Sequence, residues 1–447
     1  MATELKRDLG LTDSISLVVG GIVGTGIFLK TSTMSQAVGS PTWVLLAWVV
    51  AGALSLMGAL AYAELGAIFP KAGGEYVYLK EGHGELFAFM YGWMRFWIGS
   101  PGSIAAYAVG AATFLSAALN FGTAYLPYVA VFLILWFSLV NCLSVAFGGT
   151  LNSIMTAVKF TIILGLVIGI FIFSKTGSWA HLSTPASLTP TKTPEFFSAF
   201  GSAVLAALWA FDGWNNLAMV AGEMKDPNRN IPKSFGIGLA LVLLIYGLSN
   251  LSYFYALPFS EILQANSTAH PDALPVATLA AVTFLGNQGT QILSIAFVFS
   301  AIGAMNGSIM TNARVPFAMA QDGLFLKGLA KLHPKTHVPM NAVLIQAGVA
   351  SALALSGTFD QLTDYVVFSS WIFYAMVTSV VFKLRRQKPN LPRPYRVLGY
   401  PVLPGIFIAM GLLLLVNTIY TSPKSTLIGL VFIMAGLPVY FFFRRKA

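Results

Sequence analysis

Charge is what this chain has least of. Only 9% of its 447 residues are Asp, Glu, Lys or Arg, against about a quarter in an ordinary soluble domain. So few charges cannot cover a water-soluble fold of this length, which excludes a soluble enzyme or binding module. There is one cysteine, Cys142, inside an apolar run, so neither an internal disulfide nor a Cys/His metal cluster can form. Five histidines, His83, His181, His270, His333 and His337, fall between apolar runs without ligand spacing. No Ser-His-Asp arrangement, metal cluster or phosphate loop is visible, so enzymatic activity is not expected and no cofactor is called for. The first thirteen residues are charged and lack the hydrophobic core and cleavage site of a signal peptide, so the first apolar run is expected to persist in the mature chain.

What the chain has instead is hydrocarbon, 56% of its residues being hydrophobic. Runs of about 20 apolar residues, the length that crosses a bilayer core, lie near 12–37, 42–69, 85–117, 124–146, 150–174, 196–221, 233–257, 287–320, 339–357, 360–384, 400–420 and 425–443. The reading is an all-α polytopic membrane protein of about twelve helices, a single transmembrane domain over 1–447. With the N-terminus placed inside, alternation sorts the 26 Lys and Arg residues: nineteen fall on the cytoplasmic side and four (Lys30, Lys175, Lys192, Lys424) outside. Arg95, Lys159 and Arg314 stay within segments. This is the positive-inside pattern, and it predicts that both termini are cytoplasmic. The net charge of +10 therefore belongs to short loops on one membrane face, not to a nucleic-acid module.

Two segments carry residues that a continuous membrane helix tolerates poorly. In the first, Gly20-Gly21-Ile22-Val23-Gly24-Thr25-Gly26-Ile27-Phe28 places four glycines in seven residues, each weakening a helix by about 1 kcal/mol relative to alanine. Gly20 and Gly24 also form a GxxxG spacing, so close helix packing remains open for this stretch by itself. In the sixth, Trp209-Ala-Phe-Asp-Gly-Trp-Asn-Asn216 puts polar groups in mid-segment, where they must face a cavity or another broken helix. Two interruptions at equivalent depths, five helices apart, point to a transporter with an inverted repeat and a midplane site.

A half-helix N-terminus offers unpaired N–H groups that suit a carboxylate, while unwound carbonyls suit an ammonium group. An amino acid is the simplest ligand carrying both. The strip Ile22, Val23, Gly24, Thr25 and Gly26 is thus a candidate substrate site. The N–H groups of Thr25 and Gly26, with the Thr25 hydroxyl, take the carboxylate. Carbonyls near Ile22, Trp209 and Asp212 take the amino group. Trp209 is a candidate lid, though an aromatic there is also ordinary packing. Asn215 and Tyr253 are second-tier pocket candidates. The Asp212 side chain either selects cationic substrates or bonds within its own unwound turn.

Lys159 lies about 12 Å along its helix from the cytoplasmic end, too deep for a side chain to reach water fully. The expectation is that it points inward, to carbonyls of the first helix around Gly20 or to a hydroxyl such as Ser300. There it occupies the place of a transported cation. Arg95 and Arg314 are expected to be structurally paired, and Glu64 and Asp322 to belong to gate or loop networks. The stretch Lys71–His83 is read as a Gly-rich cytoplasmic loop dipping to the membrane edge.

At these residues the sequence resembles the L-type amino acid transporter branch of the amino acid–polyamine–organocation superfamily, in a bacterial form. The matching strings are Gly24-Thr-Gly-Ile-Phe28, Trp209-Ala-Phe-Asp-Gly-Trp-Asn215, Gly222-Glu-Met-Lys-Asp-Pro-Asn-Arg-Asn-Ile-Pro232, Asn306-Gly-Ser308 leading to Arg314, and Pro70-Lys-Ala-Gly-Gly-Glu-Tyr76. The resemblance implies a LeuT-type fold. Its repeats would be 12–174 (helices 1–5) and 196–384 (helices 6–10), with 400–443 forming helices 11–12. It also implies sodium-independent exchange of amino acids by alternating access in a bacterial inner membrane. It places Thr25 and Gly26 at the carboxylate site, Ile22 and Trp209 at the amino site, Asp212, Asn215 and Tyr253 in or beside the pocket, and Lys159 where sodium would sit.

Animal members of this branch pair with a glycoprotein through a cysteine between helices 3 and 4. The corresponding stretch, Leu119 to Leu126, has none, so no disulfide-linked heavy chain is expected. Asp212 stands where some carriers of large neutral substrates have glycine. Small to medium neutral amino acids are the expected substrates, cationic ones staying open. The alternative is a proton-coupled symporter in which Lys159 titrates.

Overall fold

Two breaks, one in each half of the chain, set the architecture. The computed structural model describes residues 9–71, 73–143, 145–183, 193–334, 336 and 338–445. Lys6, Arg7, Lys192, Lys335, His337 and Lys446 lie outside the described residues, as do both ends of the chain and part of the 175–195 loop. The first segment is two helices, α1 (Leu11–Ile22) and α2 (Gly26–Val38), bent by 41° across residues 23–25. Val23 at the break is extended, with ψ 97°, and Gly39 ends α2 in the left-handed conformation. Then come α3 (Pro41–Ile68), α4 (Glu75–His83) and α5 (Glu85–Met94). A π-helical turn, Arg95–Gly99, joins α5 to α6 (Ser100–Leu119), and α7 (Leu126–Leu143) and α8 (Val145–Phe173) close the first half.

The sixth segment is α9 (Thr193–Phe211) and the short α10 (Asn216–Met219), separated by four residues in which Gly213 has φ 98°. There follow α11 (Pro227–Ala256), the small α12 (Phe259–Leu263), α13 (Val276–Asn312), α14 (Arg314–Gln321), α15 (Met340–Ser356) and α16 (Phe359–Gln387). The chain closes with α17 (Val402–Thr421), α18 (Pro423–Met434) and α19 (Gly436–Arg444). Gly286, at φ 63°, kinks α13 about ten residues from its start, so the expected eighth segment begins only beyond the kink.

Among the described residues nine helices are long and apolar enough to span a bilayer, and the bent α1–α2 pair makes ten. The other two expected segments are short, for physical reasons. The sixth is cut by its break, leaving Glu195–Phe211, and the ninth is Met340–Ser356, with 17 residues. No strand occurs among the described residues, only the isolated bridge between Leu9 and Met224.

Two expectations are corrected. Residues 75–83 are not loop but the helix α4, ending at His83, and Glu75, Tyr76, Tyr78 and Leu79 on it are buried. Lys30 is not a loop lysine. It is 1% exposed within α2, its Nζ 2.6 Å from Asp360 Oδ1 and 2.7 Å from Thr363 Oγ1. Asp360 Oδ2 also accepts from the backbone N–H and hydroxyl of Thr268, at 3.3 and 3.0 Å, so one carboxylate ties α2, α16 and the 258–275 connection together.

Candidate substrate site at the two helix breaks

The two interruptions meet. A Cβ added to Gly26 would lie 2.6 Å from both Cα and Cβ of Ala210, and one added to Gly21 would lie 3.1 Å from the carbonyl oxygen of Gly213. Only glycine lets the backbones come this close, which is why both strings are glycine-rich. Restarting at Gly26, α2 presents N–H groups that have no acceptor one turn earlier, and a partial positive charge. The Thr25 side chain packs against Gly110 of α6, its hydroxyl buried without a hydrogen-bond partner among the described residues. This polar patch faces the end of α9, whose carbonyls lose their helical partners at residues 212–215.

The carbonyl side holds a residue that sequence reasoning missed. The Tyr246 hydroxyl, on α11, lies 3.1 Å from the Ile22 carbonyl oxygen and 3.0 Å from that of Ala210, so it donates across both broken helices. In the sequence Tyr246 is one more aromatic in an apolar run, and only the tertiary fold brings it to the breaks. Tyr253, seven residues further along α11, is fully buried with its hydroxyl unpartnered among the described residues. The Trp209 carbonyl accepts the Asp212 N–H at 3.0 Å, so part of the expected amino-group surface is used within the turn.

Trp209 is 2% exposed and lies between two rings, Tyr107 at 5.3 Å and Phe359 at 6.2 Å edge-on. Beyond Phe359 a cavity of about 310 Å³ opens, lined among others by Leu29, Thr33, Thr113, Thr268 and Asp360. Phe359 lines this cavity and meets the Trp209 ring edge to face.

The charged groups also fall into place. Lys159 Nζ donates to the Gly20 carbonyl oxygen at 2.9 Å, and Lys159 is 1% exposed. Ser300, on α13, is buried, and its hydroxyl has no partner among the described residues, so the lysine uses the backbone acceptor. Asp212 accepts from the Tyr374 hydroxyl at 2.8 Å and lies within electrostatic reach of Arg95. Arg95 itself donates to Asn312 Oδ1, and Arg314 to the Met310 carbonyl at 2.6 Å. Glu64 takes a two-pronged contact from Arg385 at 3.0 and 2.6 Å, and Asp322 takes Tyr76 and Lys80, each at 2.7 Å. Asn215, the last residue of the second break, donates its side-chain N–H to Glu75.

A profile of the amino acid permease family matches residues 9–443, nearly the whole described chain. The chain belongs to that family. At 30% identity it is similar to the serine/threonine exchanger SteT of Bacillus subtilis (strain 168), over 99% of this chain and 98% of the relative. It is also 30% identical to the human b(0,+)-type amino acid transporter 1, covering 99% of this chain and 88% of that one. The human large neutral amino acids transporter small subunit 2 is 31% identical, covering 98% and 80%. This permease is thus a multi-pass membrane protein of an amino acid transporter family, and its relatives are carriers rather than enzymes.

Proposed function

We propose that this permease is a sodium-independent amino acid exchanger that works by alternating access, with both termini cytoplasmic in a bacterial plasma membrane. The observation that carries the reading is the bond from Lys159 to the Gly20 carbonyl, directly beside the first break. A fixed ammonium group there braces the unwound helix, which is the task a bound sodium ion would perform. Substrate carboxylate is read by the N–H groups of Thr25 and Gly26, and the amino group by carbonyls at Ile22 and the end of α9. Trp209 and Phe359 close over the ligand, and Val23 and Gly24 form the floor of the unwound strip.

The preferred substrates are small to medium neutral L-amino acids. Asp212 supports this: its carboxylate is already engaged by Tyr374 and neighboured by the Arg95 charge, so a second cation gains less from it. The likeness to a serine/threonine exchanger agrees with a short polar side chain in that space.

Purified protein in liposomes tests the reading. Uptake of labelled serine should require unlabelled amino acid inside and be unaltered when sodium is replaced by choline. Brisk uptake into amino-acid-free vesicles under a proton gradient would overturn exchange in favour of proton coupling.

A further inference from the structure

Glu75 has no place in the site described so far, yet it is fully buried beneath it. It opens α4 directly after Gly73 and Gly74, whose φ values of 110° and 51° fold the preceding chain tightly. That turn lies against α10, the part of the sixth segment beyond the break. The Gly73 N–H donates to the Met219 carbonyl at 3.2 Å, and a Cβ on Gly74 would meet backbone atoms of Ala218 and Met219 at 3.1 Å. From this platform Glu75 Oε1 accepts a hydrogen bond from Asn215 Nδ2 at the start of α10. Its second oxygen is buried without a partner among the described residues, within electrostatic reach of Arg95 and Tyr91. The same short element is tied to Asp322 through Tyr76, next to Glu75, and through Lys80 one turn further on. So α4 joins α10 to the end of the eighth segment, on the side where Leu9 pairs with Met224 and Phe443 packs on Phe325 near the two termini, while the cavity is lined by the far part of α2 and the start of α16.

We infer that Glu75 is a positioning residue for exchange, latching α10 through Asn215 and so keeping the site closed toward the termini face. The inference rests on the exchange reading. When the carrier turns to the termini face, α10 must swing away, and the Glu75–Asn215 bond must break. Weakening the latch moves the population toward the termini-open state. Ligand arriving from the opposite face then finds fewer competent molecules, and its apparent affinity falls by that fraction. Ligand arriving at the termini face does not suffer this loss. The chemistry also separates side chains. Glutamine keeps an oxygen acceptor for Asn215, whereas alanine offers none and aspartate is one methylene too short.

The experiment measures KM at each membrane face separately in liposomes of uniform orientation. Loss of a buried hydrogen bond should shift the equilibrium by about tenfold. Glu75→Ala should therefore raise the ratio of KM at the face opposite the termini to KM at the termini face by about tenfold, and Glu75→Gln should restore most of the difference. Glu75→Asp should behave like the alanine variant and replaces it if alanine does not fold. As a second readout, Ala218→Cys in a Cys142→Ser background reports access to α10. A membrane-impermeant maleimide added at the termini face should label that position faster when Glu75→Ala or Glu75→Asp is present. Equal KM changes at both faces, or an altered maximal rate with labelling unchanged, would overturn the latch. Failure of the exchange reading is seen independently, as wild-type uptake into amino-acid-free vesicles.

Discussion

Gly26 decides how near the two broken helices can come. Its missing Cβ would fall 2.6 Å from Ala210 backbone and side-chain atoms, and backbone has little room to yield. Gly26→Ala should therefore force the breaks apart and weaken amino acid binding by at least about tenfold, read as equilibrium binding of labelled substrate to monodisperse protein. Lys159 has a different part in the proposed exchange, as a brace beside the break through its bond to the Gly20 carbonyl. Lys159→Ala should lower the exchange rate strongly even where binding is retained; wild-type turnover in that variant would remove its role. These residues were legible in the sequence because each offends against its surroundings: glycines in a helix, a lysine in hydrocarbon. Tyr246 offends against nothing. Its hydroxyl matters only because α11 packs across both breaks, and such proximity has no sequence signature.

At the scale of elements, broken helices announced themselves through polar and glycine residues, while α4 did not. The 70–76 string reads as a turn, and the burial that makes the following residues helical comes from α10 and α16 packed around them. Lys30 was misplaced for a related reason. Its position near the end of the first segment suggests a loop, but Asp360, 330 residues away, makes a buried place for it in α2. That pairing makes a prediction about stability. Asp360→Asn leaves an ammonium group at 1% exposure without its counter-charge, at a cost of about 3 kcal/mol or more, visible as a lower melting temperature in detergent. Combining it with Lys30→Met should recover much of the loss, because methionine removes the buried ammonium group left without its counter-charge. If the double variant is no more stable than Asp360→Asn alone, the ion pair is not what holds α2 to α16.

For the whole molecule, hydrophobic run lengths located most of the crossings because a bilayer imposes one thickness on every span. Run lengths say nothing about helices that end halfway, so the short sixth and ninth segments and the kink at Gly286 needed the three-dimensional structure. The Lys159–Gly20 bond carries a consequence at this scale too. A covalently attached ammonium group stays with the carrier when the ligand leaves, so it moves out and back within each cycle and transfers nothing across the membrane. Swapping one neutral amino acid for another would then be electrically silent. The amino acid distributions reached at steady state in liposomes clamped at about +100 or −100 mV, a span worth about 4.6 kcal/mol for one translocated charge, should coincide, leaving the cell's amino acid gradients, rather than its voltage, to decide which way net exchange runs.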